Sequence, residues 1–155
     1  MSFGIGIFHG KYHVNIGTLY RSAFCFGASF IYTIGRRYTG SCADTPKSWR
    51  HIPLLNFKTF EDFKQHIPYS WVPVAMEITD DAIPLERFNH PSSAIYILGQ
   101  EDGSLRKDVL NWCAHTVKIN TKICLNVSMA GTALMYDRST KIKDFTMKSE
   151  LASTY

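Results

Sequence analysis

The chain has 155 residues, 45% of them hydrophobic and 14% aromatic, the size and make-up of one compact domain with a sizeable core. No apolar run reaches the roughly 18 residues needed to span a bilayer, and the opening MSFGIGIFHGKYH has no basic leader followed by a long apolar core, so a cytoplasmic protein is expected. A net charge of +4 suits a polyanionic partner without identifying one, and Cys25, Cys42, Cys113 and Cys124 lack the spacing of a zinc site or a secreted disulfide framework, so reduced, mostly buried thiols and no metal are expected.

In chain order, Gly4 to Phe8 reads as a short buried strand. Asn15 has the chemistry of a helix cap, ahead of Ile16, Leu19, Ala23, Phe24 and Phe26 at helical spacing, and Gly27 ends that helix. The β-branched and aromatic run Ser29 to Ile34 is a second strand, followed by the loop GRRYTGSCADTPKSWRH and a third apolar run, Ile52 to Phe57. Thr59 caps the amphipathic TFEDFKQH. Trp71 to Met76 is a strand that Pro73 assigns to a sheet edge or to a late start, and Ala94 to Leu98 is another. Leu105 to Ala114 is a helix, Thr116 to Ile119 a short strand, and Asn126 to Tyr136 the last helix, with a flexible polar tail expected over 141–155. Strands alternating with helices predict a single α/β domain over 1–155, a mostly parallel sheet covered on both faces, with ligands outside the carboxyl ends of its strands.

That geometry singles out three segments where a strand hands over to a turn or helix: NIGTLYRSAFCFGA, ILGQEDGSL and CLNVSMAG. Asn15, Gly17, Arg21 and Gly27 in the first, Gly99 and Glu101 in the second, and Leu125, Asn126 and Ser128 in the third stand where the three motifs of the SpoU-type (TrmH-like) RNA ribose 2′-O-methyltransferases of the SPOUT superfamily stand. The chain resembles that family from its first strand to about Arg138, with all three motifs in order. The resemblance implies a C-terminal trefoil knot that holds S-adenosylmethionine, with Met76, Gly99, Ile119 and Leu125 as the cofactor-binding positions. It implies an RNA substrate, tRNA or rRNA, and a homodimer whose sites lie near the subunit interface.

Methyl transfer from a sulfonium to a ribose hydroxyl is an in-line displacement, so placing the oxygen against the methyl carbon supplies much of the rate. The family's mechanism gives the hydroxyl's proton to the arginine of the first motif, here Arg21; a guanidinium with a pKa above about 12 is better suited to clamping a phosphate and polarising the hydroxyl. Glu101 is expected to orient Arg21 or Asn15, Asn126 to orient its neighbours through its two-sided amide, and Ser128 to offer a hydroxyl near the reacting centre. Helix capping by Asn15 or Asn126, a first-turn hydroxyl at Ser128 and a surface ion pair at Glu101 are the simpler readings. The second motif departs from the family's GxExxGL, since Gly103 comes one place early and Ser104 stands before Leu105: either Ser104 disturbs the turn under the cofactor, or the Asp-Gly pair, itself a strong turn former, shifts its register. The loop between Ile119 and Asn126 is also short and lacks the family's proline.

For the RNA, Arg36, Arg37, Lys47 and Arg50, with His51, intermix with Tyr38 and Trp49, a pattern suited to phosphates and unstacked bases; the alternative is a solvated basic loop with one Trp packed on the core. Lys11, Lys141, Lys143 and Lys148 add positive charge, and His9 and His13 are expected to be surface residues. Selection of the RNA is expected to come from this domain and its dimer. A dinucleotide-binding oxidoreductase is disfavoured, because Gly4, Gly6 and Gly10 of GIGIFHG do not form GxGxxG and the first two fall inside the first strand. The remaining alternative is a catalytically impaired RNA-binding relative, for which Ser104 is the hint.

Overall fold

In the computed structural model, which describes residues 1–101 and 103–142, the β-strands are β1 (Ser2–Phe8), β2 (Phe30–Ile34), β3 (Leu54–Phe57), β4 (Val72–Met76), β5 (Ile83–Pro84), β6 (Ser93–Leu98) and β7 (His115–Lys118). They form one sheet in the order β3-β2-β1-β6-β4-β7-β5, with every neighbouring pair parallel. Alternation along the strands sorts the apolar residues onto two faces. Phe3, Ile5, Ile7, Ile31, Val74, Met76, Tyr96 and Leu98 point to one face, where Ile16, Leu19 and Tyr20 of α1 (His13–Cys25) and Leu134 and Met135 of α4 (Val127–Lys141) pack. Phe8, Tyr32, Ile34, Ala75, Ile95 and Ile97 point to the other, covered by Phe60 and Phe63 of α2 (Phe60–His66) and Val109 of α3 (Lys107–Trp112). Burial on both faces is why these strands read as near-continuous apolar runs.

The glycines of GIGIF serve this packing. A Cβ on Gly4 would stand 2.7 Å from the Phe30 ring, and one on Gly6 would stand 2.2 Å from the Tyr32 carbonyl oxygen and 2.5 Å from its ring. Bare backbone in β1 thus admits two aromatic rings from β2, which accounts for the glycine pair without any nucleotide.

Gly27, at φ +71°, closes α1 as read from the sequence, and the Thr59 hydroxyl accepts from the Asp62 N–H at 3.1 Å to cap α2. Pro73 does not sit on an edge: β4 lies between β6 and β7. Its carbonyl accepts from Ala114 at 2.9 Å, so its missing N–H faces the side where β7 has not yet begun, the pairing there starting at Val74 with His115. The third strand begins two residues late because the 3-10 turn Ser48–Arg50 and its sequel occupy 48–53, and β5 was not foreseen. The thiols are not mostly buried: Cys25, Cys42 and Cys124 are exposed, and Cys113 is half-buried with its pKa pushed up to about 12 by burial. The expected tail lies, from residue 143 on, outside the described residues.

At the amino ends of β1 and β6 the buried Arg138 ties α4 to the sheet, donating to the Pro91 carbonyl at 2.6 Å, the Ser92 carbonyl at 2.8 Å and the Tyr96 hydroxyl at 3.0 Å. A buried guanidinium needs such acceptors to offset its desolvation. Among the described residues no helix is long and apolar enough to cross a membrane.

Candidate functional site

The strand order sets β4 between β6 and β7, so the turns leaving these three strands meet at the carboxyl end of the sheet. Between them lies a cavity of about 350 Å³, within the range of small-molecule sites. Met76, Gly99, Ile119 and Leu125 all line it, together with Glu77, Gln100, Ser104 and Lys118. Val127 and Ala130 of α4 add apolar wall. Gly99 sets bare backbone against this wall; a Cβ there would stand 3.4 Å from both the Glu77 carboxylate and the Leu105 side chain, an ordinary contact distance. Apolar walls for a heterocycle, exposed backbone polar groups and fixed carboxylates are a set that fits S-adenosylmethionine.

Beside the cavity, four residues from the three segments join in one directed chain of hydrogen bonds. The Ser128 hydroxyl donates to Asn126 Oδ1 at 2.7 Å, Asn126 Nδ2 donates to Asn15 Oδ1 at 3.0 Å, and Asn15 Nδ2 donates to Glu101 Oε1 at 2.8 Å. Each amide uses its carbonyl on one side and its NH₂ on the other, so neither can flip without setting two donors or two acceptors face to face. That answers what the polar pair of CLNVSMAG does: Asn126 caps α4 by accepting from the Ser128 N–H at 2.9 Å and also reaches across to α1. The capping and orienting readings are both true of it.

Asn15 is not the cap of α1. The helix starts at His13 after Tyr12, which makes no side-chain cap, and Asn15 falls in the first turn, buried, with its amide aimed at Glu101. Glu101 takes up the helix entry instead, accepting from the Lys11 N–H at 2.9 Å and the Tyr12 N–H at 3.5 Å. A carboxylate there also opposes the positive end of the helix dipole. Burial alone would raise the Glu101 pKa, but the Asn15 amide and the backbone N–H groups of Lys11, Glu101 itself and Tyr12 outweigh it and hold the carboxyl below its ordinary value.

Arg21 stands apart from this cluster. It is exposed on α1, its Nη1 donates to the Thr45 hydroxyl at 3.1 Å, and it neither lines the cavity nor meets Glu101. Of the two partners expected for Glu101, Asn15 is the one found, because Arg21 lies six residues on, rotated well away around the helix from Asn15.

The basic loop from Gly35 to Pro53 is built, not merely solvated. Buried Asp44 accepts from the Ser48 N–H at 3.0 Å and its hydroxyl at 2.6 Å, and the Tyr20 hydroxyl donates to the Ile52 carbonyl. These ties hold Trp49 out in solvent, 59% exposed, with the Arg50 guanidinium 5.0 Å from its ring centre, so this Trp is not packed on the core. Lys47 and Arg37 are exposed, and Arg36 is exposed with its Nη1 on the Lys11 carbonyl at 3.0 Å. Tyr38 departs from the expected exposed face: it is buried against the core. His9 is exposed and His13 half-buried.

Sequence reasoning missed Glu77. It follows β4 directly, and its Oε2 accepts from the Leu105 N–H at 2.7 Å. The turn that Ser104 placed in doubt is thereby held from the neighbouring strand. The available signal was an acidic residue immediately after a buried strand, the position where this sheet type presents ligands.

Compared with known proteins, the model of the SpoU rRNA Methylase family matches residues 4–136. No curated protein matches the chain in a sequence search. Among solved structures, the SpoU methyltransferase AviRb from Streptomyces viridochromogenes is 20% identical at a TM-score of 0.81, covering 92% of this chain and 60% of its own. An AdoMet-bound rRNA methyltransferase from Sinorhizobium meliloti is 19% identical at a TM-score of 0.78, over 91% of this chain and 57% of its own. A structure concerning 2-OH methylation of C/U34 on tRNA is 19% identical at a TM-score of 0.79, over 92% of this chain and 91% of its own. At these identities the likeness is one of fold. The chain spans about three fifths of the length of the first two.

Proposed function

The chain belongs to the SpoU rRNA methylase family, and from that membership we propose that it is an S-adenosylmethionine-dependent RNA methyltransferase acting on a ribose 2′-hydroxyl of tRNA or rRNA. The observation that carries this reading is the convergence of the three segments: Ser128, Asn126, Asn15 and Glu101 in one hydrogen-bonded chain beside a cavity lined by Met76, Gly99, Ile119 and Leu125. Likeness in fold to the structure concerning 2-OH methylation of C/U34 on tRNA makes tRNA the first RNA to test. Threading of α4 through the preceding loops, as the resemblance implies, belongs to the same proposal and is supported by the meeting of the turns after β4, β6 and β7.

Bound S-adenosylmethionine supplies the electrophilic methyl group. Met76, Gly99, Ile119 and Leu125 wall its cavity, and the Ser128–Asn126–Asn15–Glu101 chain fixes the polar groups beside it, so that the ribose oxygen meets a preset arrangement. Arg21 does not reach its own cavity, and a homodimer resolves this: a second copy presents its Arg21 to the first copy's site, where a guanidinium clamps the target phosphate and polarises the hydroxyl. Exposed apolar residues on the two helices of one face, Val14 on α1 with Met129 and Tyr136 on α4, support pairing there. RNA contacts come from Arg36, Arg37, Lys47 and Arg50 around the exposed Trp49. Against the impaired-relative reading, Glu77 accepts from the Leu105 N–H and so supports the turn beside Ser104.

The test is binding of S-adenosylmethionine followed by transfer of labelled methyl to total tRNA and rRNA. Arg21→Ala should keep cofactor binding and lose transfer; undiminished transfer removes Arg21 from the mechanism. Mixing Arg21→Ala with Asn126→Ala chains should restore part of the activity if sites are shared between copies.

A further inference from the structure

Among the described residues three charged side chains line the cavity: Glu77, Glu101 and Lys118. Two are spoken for. Glu101 Oε1 and Oε2 receive the Asn15 amide and the backbone N–H groups of Lys11 and Tyr12, besides that of Glu101 itself. Lys118 turns its ammonium to the carbonyls of Thr79 at 2.8 Å and Asp80 at 3.4 Å. Glu77 differs, because each of its oxygens receives one backbone N–H, Leu105 on Oε2 at 2.7 Å and Ile78 on Oε1 at 3.0 Å. A carboxylate has about four acceptor positions, so both oxygens are fixed in place and both retain capacity. Glu77 also faces the bare backbone of Gly99, where even a Cβ would stand 3.4 Å from Oε2. The result is a rigid two-pronged acceptor in the wall of a cavity that is otherwise largely apolar and backbone.

On the reading that this cavity holds S-adenosylmethionine, we propose that Glu77 is its ribose-binding group, the two carboxylate oxygens accepting from the cofactor's 2′- and 3′-hydroxyls. A vicinal diol presents two O–H donors side by side, matching the spacing of two carboxylate oxygens. Acidic side chains at the carboxyl ends of parallel strands hold ribose hydroxyls in dinucleotide-binding folds by the same chemistry. Bonds to an ionised acceptor are the stronger kind. Glu77 thus has two tasks: it holds the turn under the cofactor through Leu105 and selects a nucleoside with an intact diol.

The measurement is calorimetric affinity for S-adenosylhomocysteine and for its 2′,3′-dideoxy counterpart, in the full chain and in Glu77→Gln. In the unaltered protein the dideoxy compound should bind at least about 10-fold more weakly, the scale of one charged hydrogen bond. Glu77→Gln should weaken S-adenosylhomocysteine by about the same factor while leaving the dideoxy compound within about twofold. A merely structural role would weaken both compounds equally in the variant, and that result overturns the proposal, as does equal affinity in the unaltered protein. Should Glu77→Gln fail to fold, the unaltered protein decides alone: a preference for the intact diol supports the proposal, and equal affinity for the two compounds overturns it. Failure of the unaltered protein to bind S-adenosylhomocysteine at all overturns the cofactor reading itself, a distinguishable outcome.

Discussion

The link between Asn15 and Asn126 joins residues 111 positions apart, and its strength can be isolated by a double-mutant cycle. Asn126→Ala removes the α4 cap, which costs about 1 kcal/mol, and leaves Asn15 Oδ1 without its donor. Asn15 is 8% exposed, so an unsatisfied acceptor there adds about 1 kcal/mol at the low end of the usual penalty, for a total near 2 kcal/mol. Asn15→Ala deprives Glu101 of its amide donor and Asn126 of its acceptor, a further loss of about 1 to 2 kcal/mol. If the amides act as a pair, the double variant loses less than the sum by at least about 0.5 to 1 kcal/mol, because with both side chains gone neither the Asn15 acceptor nor the Asn126 donor is left unpaired. Urea unfolding midpoints with a common slope give the three free energies. Asn126→Asp adds an orthogonal check: it keeps a good cap but sets a second acceptor against Asn15 Oδ1, so it should destabilise although the cap survives. Additivity within about 0.3 kcal/mol, together with an Asn126→Asp variant as stable as the parent, would refute the reasoning.

Gly6→Ala should destabilise by about 1 to 3 kcal/mol or prevent folding, because its Cβ meets a backbone oxygen at 2.2 Å that cannot swing aside; a thermal midpoint unchanged within error counts against that packing. For acid stability, the Glu101 carboxyl titrates below its ordinary value, so its contribution is complete above the unfolded-state pKa of about 4.3 and fades as pH falls through the lower folded value. Glu101→Gln should therefore flatten the acid side of a plot of thermal midpoint against pH, whereas parallel profiles for the two proteins would mean the carboxylate has no such role. On the proposed reading, Trp49→Ala should weaken RNA binding roughly 10-fold, the worth of one stacked base, while Arg50→Ala should lower the salt dependence of binding by about one phosphate contact; filter binding over a salt series separates the two effects.

What was legible in the sequence was what periodicity and local chemistry control. Buried strands such as β1 and β6 announce themselves as apolar runs, Thr59 with its downstream amphipathic turn announces α2, and Gly27 marks a helix end because few other residues adopt φ +71°. The positions of Met76, Gly99, Ile119 and Leu125 on one cavity followed from resemblance, not from periodicity, since nothing local says that β4 lies between β6 and β7. Misreadings arose where a local rule met a distant partner. Asn15 looked like a cap because Asn is a good cap, yet the helix entry at Lys11 is served by Glu101 from 90 residues away in sequence, and Asn15 faces inward. Pro73 looked like an edge residue because proline lacks a donor, yet an interior strand tolerates it where the neighbouring strand has not begun.

The same logic explains why Glu77 escaped notice. In isolation it is one acidic residue after a strand, and only the pairing of β4 beside β6 brings its carboxylate to the Leu105 N–H. Ser104, the apparent flaw in the second segment, and Glu77, an apparently incidental acid, belong to one local solution. A turn that departs from its family's pattern is held by a donor–acceptor bond from the adjacent strand. The prediction this makes is directional: Ser104→Gly, which restores the familiar pattern, should gain little while Glu77 is present. In a Glu77→Gln background, where the Leu105 N–H keeps only a neutral acceptor, the same change should matter more.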